Sequence, residues 1–165
     1  MMTKDNPTIV IGQAIPDIAL HIKSEGGIDA IRTADYFRNC RVVMIALPGA
    51  FTGTCSTKHL PGYVRNAEML KSSGFDKIAC LAVNDAHVMR AWCIDQGAEG
   101  IVDMLADPLA GFADELGICV DMGPILGRRA TRCAMIIENG VLKKIFMEKP
   151  AAFEVSSAEN VLANL

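Results

Sequence analysis

Residues 41–64 read RVVMIALPGAFTGTCSTKHLPGYV. Arg41 to Leu47 is a continuous apolar run with β-branched members, the pattern of a buried strand. Pro48, Gly49 and Gly53 mark a turn after it, and a helix is expected from about Cys55 to Ser72. Cys55 then falls in the first helical turn, where unpaired backbone N–H groups and the positive end of the helix dipole favour an anion, here a thiolate. Thr52 lies three residues earlier, and its hydroxyl both donates and accepts hydrogen bonds. A thiol in this setting is suited to attack a small electrophile. Pro61 removes a backbone donor within the helix, so it either bends the helix or marks a passive boundary.

Outward from this segment the elements alternate. Lys77 to Val83 reads as a strand, and Asp85 caps a helix from Ala86 to Gln96 whose Val88, Met89 and Trp92 share a face. Gly97 ends that helix. Val102 to Ala106 predicts a short strand and Gly111 to Leu116 a short helix. Arg132 to Ile137 and Val141 to Met147 flank Glu138-Asn139-Gly140, whose Asn-Gly pair signals a hairpin. Ser156 with Glu159 predicts a capping box for a closing helix. The order is strand, helix, strand, helix, strand, helix, two strands and a helix, which gives an α/β sandwich.

Composition fits one domain over residues 1–165. The chain is 51% hydrophobic with a formal net charge of -3, and its charges form no block. Neither nucleic acid nor an anionic membrane surface is therefore an expected partner, and no apolar run reaches membrane-spanning length. The six cysteines stand at 40, 55, 80, 93, 119 and 133, with no Cys-x-x-Cys and no zinc-ligand cluster, so neither metal nor cofactor is expected. No signal peptide is evident, and a chain of this length does not need disulfide staples, so a reducing cytoplasm is the expected location.

Leu47 to Val64, LPGAFTGTCSTKHLPGYV, resembles the active-site segment of peroxiredoxins, and His59-Leu60-Pro61-Gly62-Tyr63 resembles their type II, or peroxiredoxin-5, subfamily. Val83-Asn84-Asp85-Ala86, Ala91-Trp92, Ala106-Asp107-Pro108 and Gly127-Arg128-Arg129-Ala130-Thr131-Arg132 recur there in the same order at similar spacings, so the resemblance covers nearly the whole chain. It implies a thioredoxin-like fold, a central mixed β-sheet flanked by helices. It also implies a thiol-dependent peroxidase that reduces hydrogen peroxide and organic hydroperoxides. Cys55 would be the peroxidatic nucleophile, Thr52 would hold the hydroperoxide, Pro48 would shield the sulfur, and Arg132 would activate the thiol and orient the peroxide. Gly53 replaces a proline common in the family, and Cys133 stands where an aromatic residue often follows the arginine, a swap expected to loosen packing around Arg132.

Recycling of the oxidised cysteine has two readings. Cys80 matches the resolving position of plant-type members, yet its apolar strand Ile78-Ala79-Cys80-Leu81-Ala82-Val83 suits a buried, inert thiol. Otherwise glutathione, a glutaredoxin or thioredoxin reduces the sulfenic acid directly. Cys40, Cys93, Cys119 and Cys133 are read as core or incidental thiols. His59, four residues after Cys55, is read as structural rather than as a general base, His21 and His87 as surface or cap-adjacent, and Arg128 and Arg129 as solvating a loop rather than steering anionic partners. A homodimer through loops around the active site is implied by the resemblance, although Phe51, Ile125 and Leu126 equally suit the inside of a monomer. Two other classes compete: a thiol-disulfide oxidoreductase acting on proteins, weakened by the missing Cys-x-x-Cys, and a non-catalytic redox-sensing or chaperone-like module.

Overall fold

A computed structural model describes residues 8–165. Strands β1 (Ala19–Ser24) and β2 (Gly27–Arg32) form an antiparallel hairpin followed by the short helix α1 (Thr33–Tyr36) and strand β3 (Arg41–Ala46). After the Pro48 loop come a π-helical turn (Cys55–His59), α2 (Leu60–Arg65) and α3 (Ala67–Ser72). Next are β4 (Lys77–Ala82), α4 (Ala86–Asp95), β5 (Asp103–Ala106), α5 (Gly111–Glu115), β6 (Cys119–Asp121), α6 (Gly123–Leu126) and β7 (Arg128–Ala130). Strands β8 (Cys133–Glu138) and β9 (Val141–Met147) and helix α7 (Ala158–Ala163) complete the fold. The main sheet has seven strands in the order β2-β1-β5-β4-β3-β8-β9, and β6 and β7 pair separately. β3, β4 and β5 run parallel, and the outer strands are antiparallel to their neighbours.

The unbroken apolarity of β3 from Val42 onward follows from its place in the middle of this sheet. Side chains alternate between faces along a strand, so a strand covered on both sides must be apolar at every position. Val43 and Ile45 face the layer of Leu60, Tyr63, Leu70, Met89, Trp92 and Val161. Val42, Met44 and Ala46 face Phe37, Phe112 and Leu116. Each large side chain buried in this way contributes roughly 1.5–3 kcal/mol, which makes β3 with its two flanking layers the rigid floor beneath the Cys55 segment.

Several local expectations hold. Asp85 caps α4 by accepting from Val88 N–H at 2.9 Å, and Gly97 follows that helix with φ +62°. Asn139 and Gly140 both take positive φ, 46° and 74°, as a tight hairpin turn between β8 and β9 requires. The β1–β2 hairpin and the β6–β7 pair go beyond the sequence reading: β1 and β2 are largely half-buried or exposed and lack an unbroken apolar run, and β6 and β7 have only three residues each. Ser156 is not the cap of the closing helix. Ser157 is, accepting from Asn160 N–H at 3.2 Å, while the Ser156 hydroxyl donates to Glu148 at 2.8 Å.

The Cys55 helix also departs from expectation. Leu60 N–H donates to the Cys55 carbonyl five residues back, and the next residue, Pro61, has no N–H to give. The missing donor falls where a π turn passes into α2, so Pro61 sits in the first turn of a new helical segment rather than at a kink of its own. The break nearer the middle is at Asn66, between α2 and α3. Among the described residues no helix is long and apolar enough to cross a membrane, and no group of three or more His, Cys, Asp or Glu could hold a metal ion.

Candidate active site

Ser56 N–H donates to the Thr52 carbonyl at 3.0 Å, the first helical bond of the segment, so Cys55 lies in the first turn with Thr52 at its start. The Thr52 hydroxyl donates to Gly49 O at 2.7 Å, which leaves its lone pairs to accept a hydrogen bond from a bound molecule. Trp92, fully buried on α4, donates its indole N–H to Ser56 Oγ at 3.0 Å and anchors the same turn from beneath.

Pro48, half-buried, opens the loop before Thr52. Ala50 N–H donates to the Asn84 side chain at 3.0 Å, tying the loop to the segment after β4. Arg129 was expected to solvate a loop; instead its guanidinium donates to Pro48 O at 3.2 Å and Val83 O at 3.1 Å, and its Nε to Leu126 O at 2.7 Å. Gly49 permits this approach, since a Cβ there would meet Arg129 Nη1 at 2.6 Å. Arg128 pairs with Asp114. Two adjacent arginines in one motif looked interchangeable in sequence, and the alternation of side chains along β7 separates their directions.

Arg132 enters from the strand next to β3, just before β8 begins. Cys133 pairs with Ala46 at the end of β3, and this rung sets Arg132 beside the loop that carries the thiol. Arg132 Nη2 donates to Cys55 Sγ at 3.3 Å. Its Nη1 lies 3.0 Å from His59 Nδ1, and His59 Nε2 lies 3.2 Å from Ser156 O, to which Tyr63 also donates at 2.8 Å. A carbonyl only accepts, so the network assigns the His59 proton to Nε2 and a lone pair to Nδ1, facing the guanidinium. His59 is thus structural, as expected, but its partner is the site's own arginine. Phe153 covers the pair, 5.2 Å from the His59 ring and 5.9 Å from the Arg132 guanidinium carbon.

Burial pushes the His59 imidazole down to about 3, and the adjacent Arg132 charge adds to this against the opposing Ser156 hydrogen bond. It is neutral throughout the physiological range. Between the ordinary histidine value near 6.5 and about 3, the unfolded chain binds a proton that the native one does not. Stability therefore rises with pH across that window and is lost as pH falls through it. Native stability should fall between pH 7 and pH 4, with His59 responsible for about 3 kcal/mol of the loss. Urea titrations of the wild type and of His59→Gln check this, because glutamine keeps a donor and an acceptor but does not titrate. An equal fall in both proteins would remove His59 as the cause.

The six cysteines are all free thiols. Cys55 is 1% exposed and Cys80, in β4, is wholly buried. Burial, then the neighbouring Cys55, pushes the Cys80 thiol well above its ordinary range. Both belong to the same apolar cluster. Burial also pushes Cys133 up to about 12, and its side chain is fully enclosed in β8. Cys93 is buried on α4, and Cys40 and Cys119 are half-buried. Phe51 and Ile125 do not pack inside the monomer: they are 56% and 91% exposed, while Leu126 is half-buried.

A cysteine in the first turn of the helix after a central parallel strand, hydrogen-bonded by an arginine that leads into the neighbouring antiparallel strand, defines a thiol enzyme of the thioredoxin-like fold. The family model described as Redoxin matches residues 11–162. Peroxiredoxin-2E, chloroplastic, of Arabidopsis thaliana is 39% identical over 163 residues, covering 96% of this chain and 70% of that protein. The crystal structure of reduced Prx3 from Vibrio vulnificus in complex with hydrogen peroxide superposes with a TM-score of 0.93 at 44% identity, covering 95% of this chain and 99% of the other. A 1-Cys peroxiredoxin of Plasmodium falciparum superposes at 0.89 with 30% identity, covering 95% of this chain and all of the other. The chain belongs to the peroxiredoxin family, in its type II branch, and is a thiol-dependent peroxidase.

Proposed function

We propose that Cys55 is the peroxidatic nucleophile for hydrogen peroxide and small organic hydroperoxides, and that an external thiol completes the cycle. The 3.3 Å contact from Arg132 Nη2 to Cys55 Sγ carries this reading, because it holds a cationic hydrogen-bond donor against the sulfur that reacts. The thiolate attacks one peroxide oxygen, an S–O bond forms as the O–O bond breaks, and cysteine becomes sulfenic acid. The hydroxide or alkoxide released takes up a proton from water. Negative charge spreads over both oxygens in the transition state, where donors held in advance contribute most. Arg132 supplies such a donor through Nη2, its Nη1 being engaged by His59, Thr52 accepts from the peroxide hydroxyl, and Pro48 excludes water from the sulfur.

For the second half-reaction, complete burial of Cys80 in the central sheet supports reduction by an external thiol over an internal disulfide. Glutathione, alone or through a glutaredoxin, condenses with the sulfenic acid, releases water and leaves a mixed disulfide; a second thiol then restores Cys55. Thioredoxin is the alternative donor. Six free thiols suit a reducing compartment such as the cytoplasm. Exposed Phe51 and Ile125 lie on segments joined through Arg129, and such a patch beside the active-site loop supports homodimer formation.

Intact-mass measurement tests the cycle. After one equivalent of hydrogen peroxide the protein should gain one oxygen, and with glutathione present it should carry one glutathionyl group. Loss of two hydrogens instead would signal an internal disulfide and return Cys80 to a resolving role. Peroxide turnover assayed separately with glutathione, glutaredoxin and thioredoxin then identifies the donor.

A further inference from the structure

Glu148 follows β9 directly and is 5% exposed. One of its oxygens, Oε1, accepts from Glu154 N–H at 2.7 Å, Ser156 N–H at 2.8 Å and the Ser156 hydroxyl at 2.8 Å. Burial opposes the charge, yet the Ser156 and Glu154 hydrogen bonds outweigh it and hold the carboxyl below its ordinary range. A charged acceptor gathering three donors is among the stronger ways to pin a loop. The Glu148 backbone N–H also donates to Arg132 O at 3.0 Å, so the carboxylate and the arginine are held on adjoining backbone.

What the carboxylate pins is Ser156, whose carbonyl faces both Tyr63 Oη and His59 Nε2. That carbonyl keeps the imidazole proton on Nε2 and leaves Nδ1 to receive Arg132 Nη1. With Nη1 so engaged, Nη2 is directed at Cys55 Sγ. Removing the carboxylate frees the loop, and a freed Ser156 carbonyl no longer dictates either the tautomer or the ring orientation.

We propose that Glu148 is a positioning residue of the peroxidase site: by holding the Ser156 carbonyl against His59, it fixes the imidazole tautomer that aims Arg132 at the Cys55 sulfur. This rests on the reading of Cys55 and Arg132 given above. Glu148 itself touches neither sulfur nor substrate.

The test compares full-length wild type, Glu148→Ala, Glu148→Gln and Arg132→Met. Stopped-flow mixing of the reduced proteins with hydrogen peroxide gives the oxidation rate. Long-range proton–nitrogen NMR of the three histidines reports which ring nitrogen of His59 carries the proton. Glu148→Ala should react about tenfold more slowly, as misaimed groups do, and its His59 signals should move from the Nε2–H pattern toward a mixture of tautomers. Glu148→Gln keeps an acceptor oxygen and should recover most of both. A wild-type rate in Glu148→Ala, an unmoved His59 pattern, or a glutamine variant no better than the alanine one each overturns the proposal. Should Glu148→Ala fail to fold, Ser156→Ala removes one of the three bonds and must show a smaller change of the same kind in rate and tautomer, no change being fatal. A fast Arg132→Met would sink the underlying reading; a fast Glu148→Ala beside a slow Arg132→Met sinks this inference alone.

Discussion

Cys55→Ser should lower hydroperoxide consumption by about 10⁴-fold or more, the scale on which removal of an obligatory nucleophile is felt. A serine hydroxyl stays protonated where a thiolate forms, and oxygen does not form the oxidised intermediate that sulfur does. The substitution is close to isosteric at a position 1% exposed, so thermal unfolding should shift little and the loss is chemical. Stopped-flow peroxide consumption with excess glutathione and glutaredoxin measures it. Undiminished turnover would assign the chemistry to another thiol, and five remain.

Arg132→Met should cost about 10²–10³ in the rate of sulfur oxidation, as loss of a preorganised charge-stabilising donor does elsewhere. Two effects combine. The sulfur loses its donor at 3.3 Å, and the His59 Nδ1 lone pair is left buried without its partner at 3.0 Å. The second effect destabilises the fold by about 1–3 kcal/mol and is visible in urea titration. The first is read from single-turnover oxidation well below the unfolding transition. A rate within a factor of about three of wild type would remove the charge-stabilising role, since the donors of such sites contribute far more than that.

The pieces legible in sequence were those whose signals are local. The unbroken apolar run of β3 announced a central strand, Asp85 announced α4, and Asn139-Gly140 announced the last hairpin. The pairing of Arg132 with Cys55 was available only through family resemblance, because 77 positions separate them and no spacing rule joins β3 to β8. Glu148 carried no readable signal, and neither did the actual contacts of Ser156 and Arg129. Each acts through backbone carbonyls or amides, and a backbone group looks the same beside every residue type. Ser156 misled because its neighbour Ser157 offers the same hydroxyl one step later, and the choice between them was made by a carboxylate eight residues upstream. The π turn was equally hidden, since Pro61 withholds a donor without saying which turn absorbs the loss.

The rung between Ala46 and Cys133 leaves a practical legacy. Because the guanidinium is hung from a sheet ladder and the sulfur from a helix seated on that same ladder, their separation belongs to this chassis and to the Glu148-pinned loop, not to the stretch around Ile125. Grafting foreign sequence into the exposed stretches near Ile125 could therefore change which molecules reach the pocket while its reactive geometry is inherited intact. For protein engineers that is a favourable division of labour.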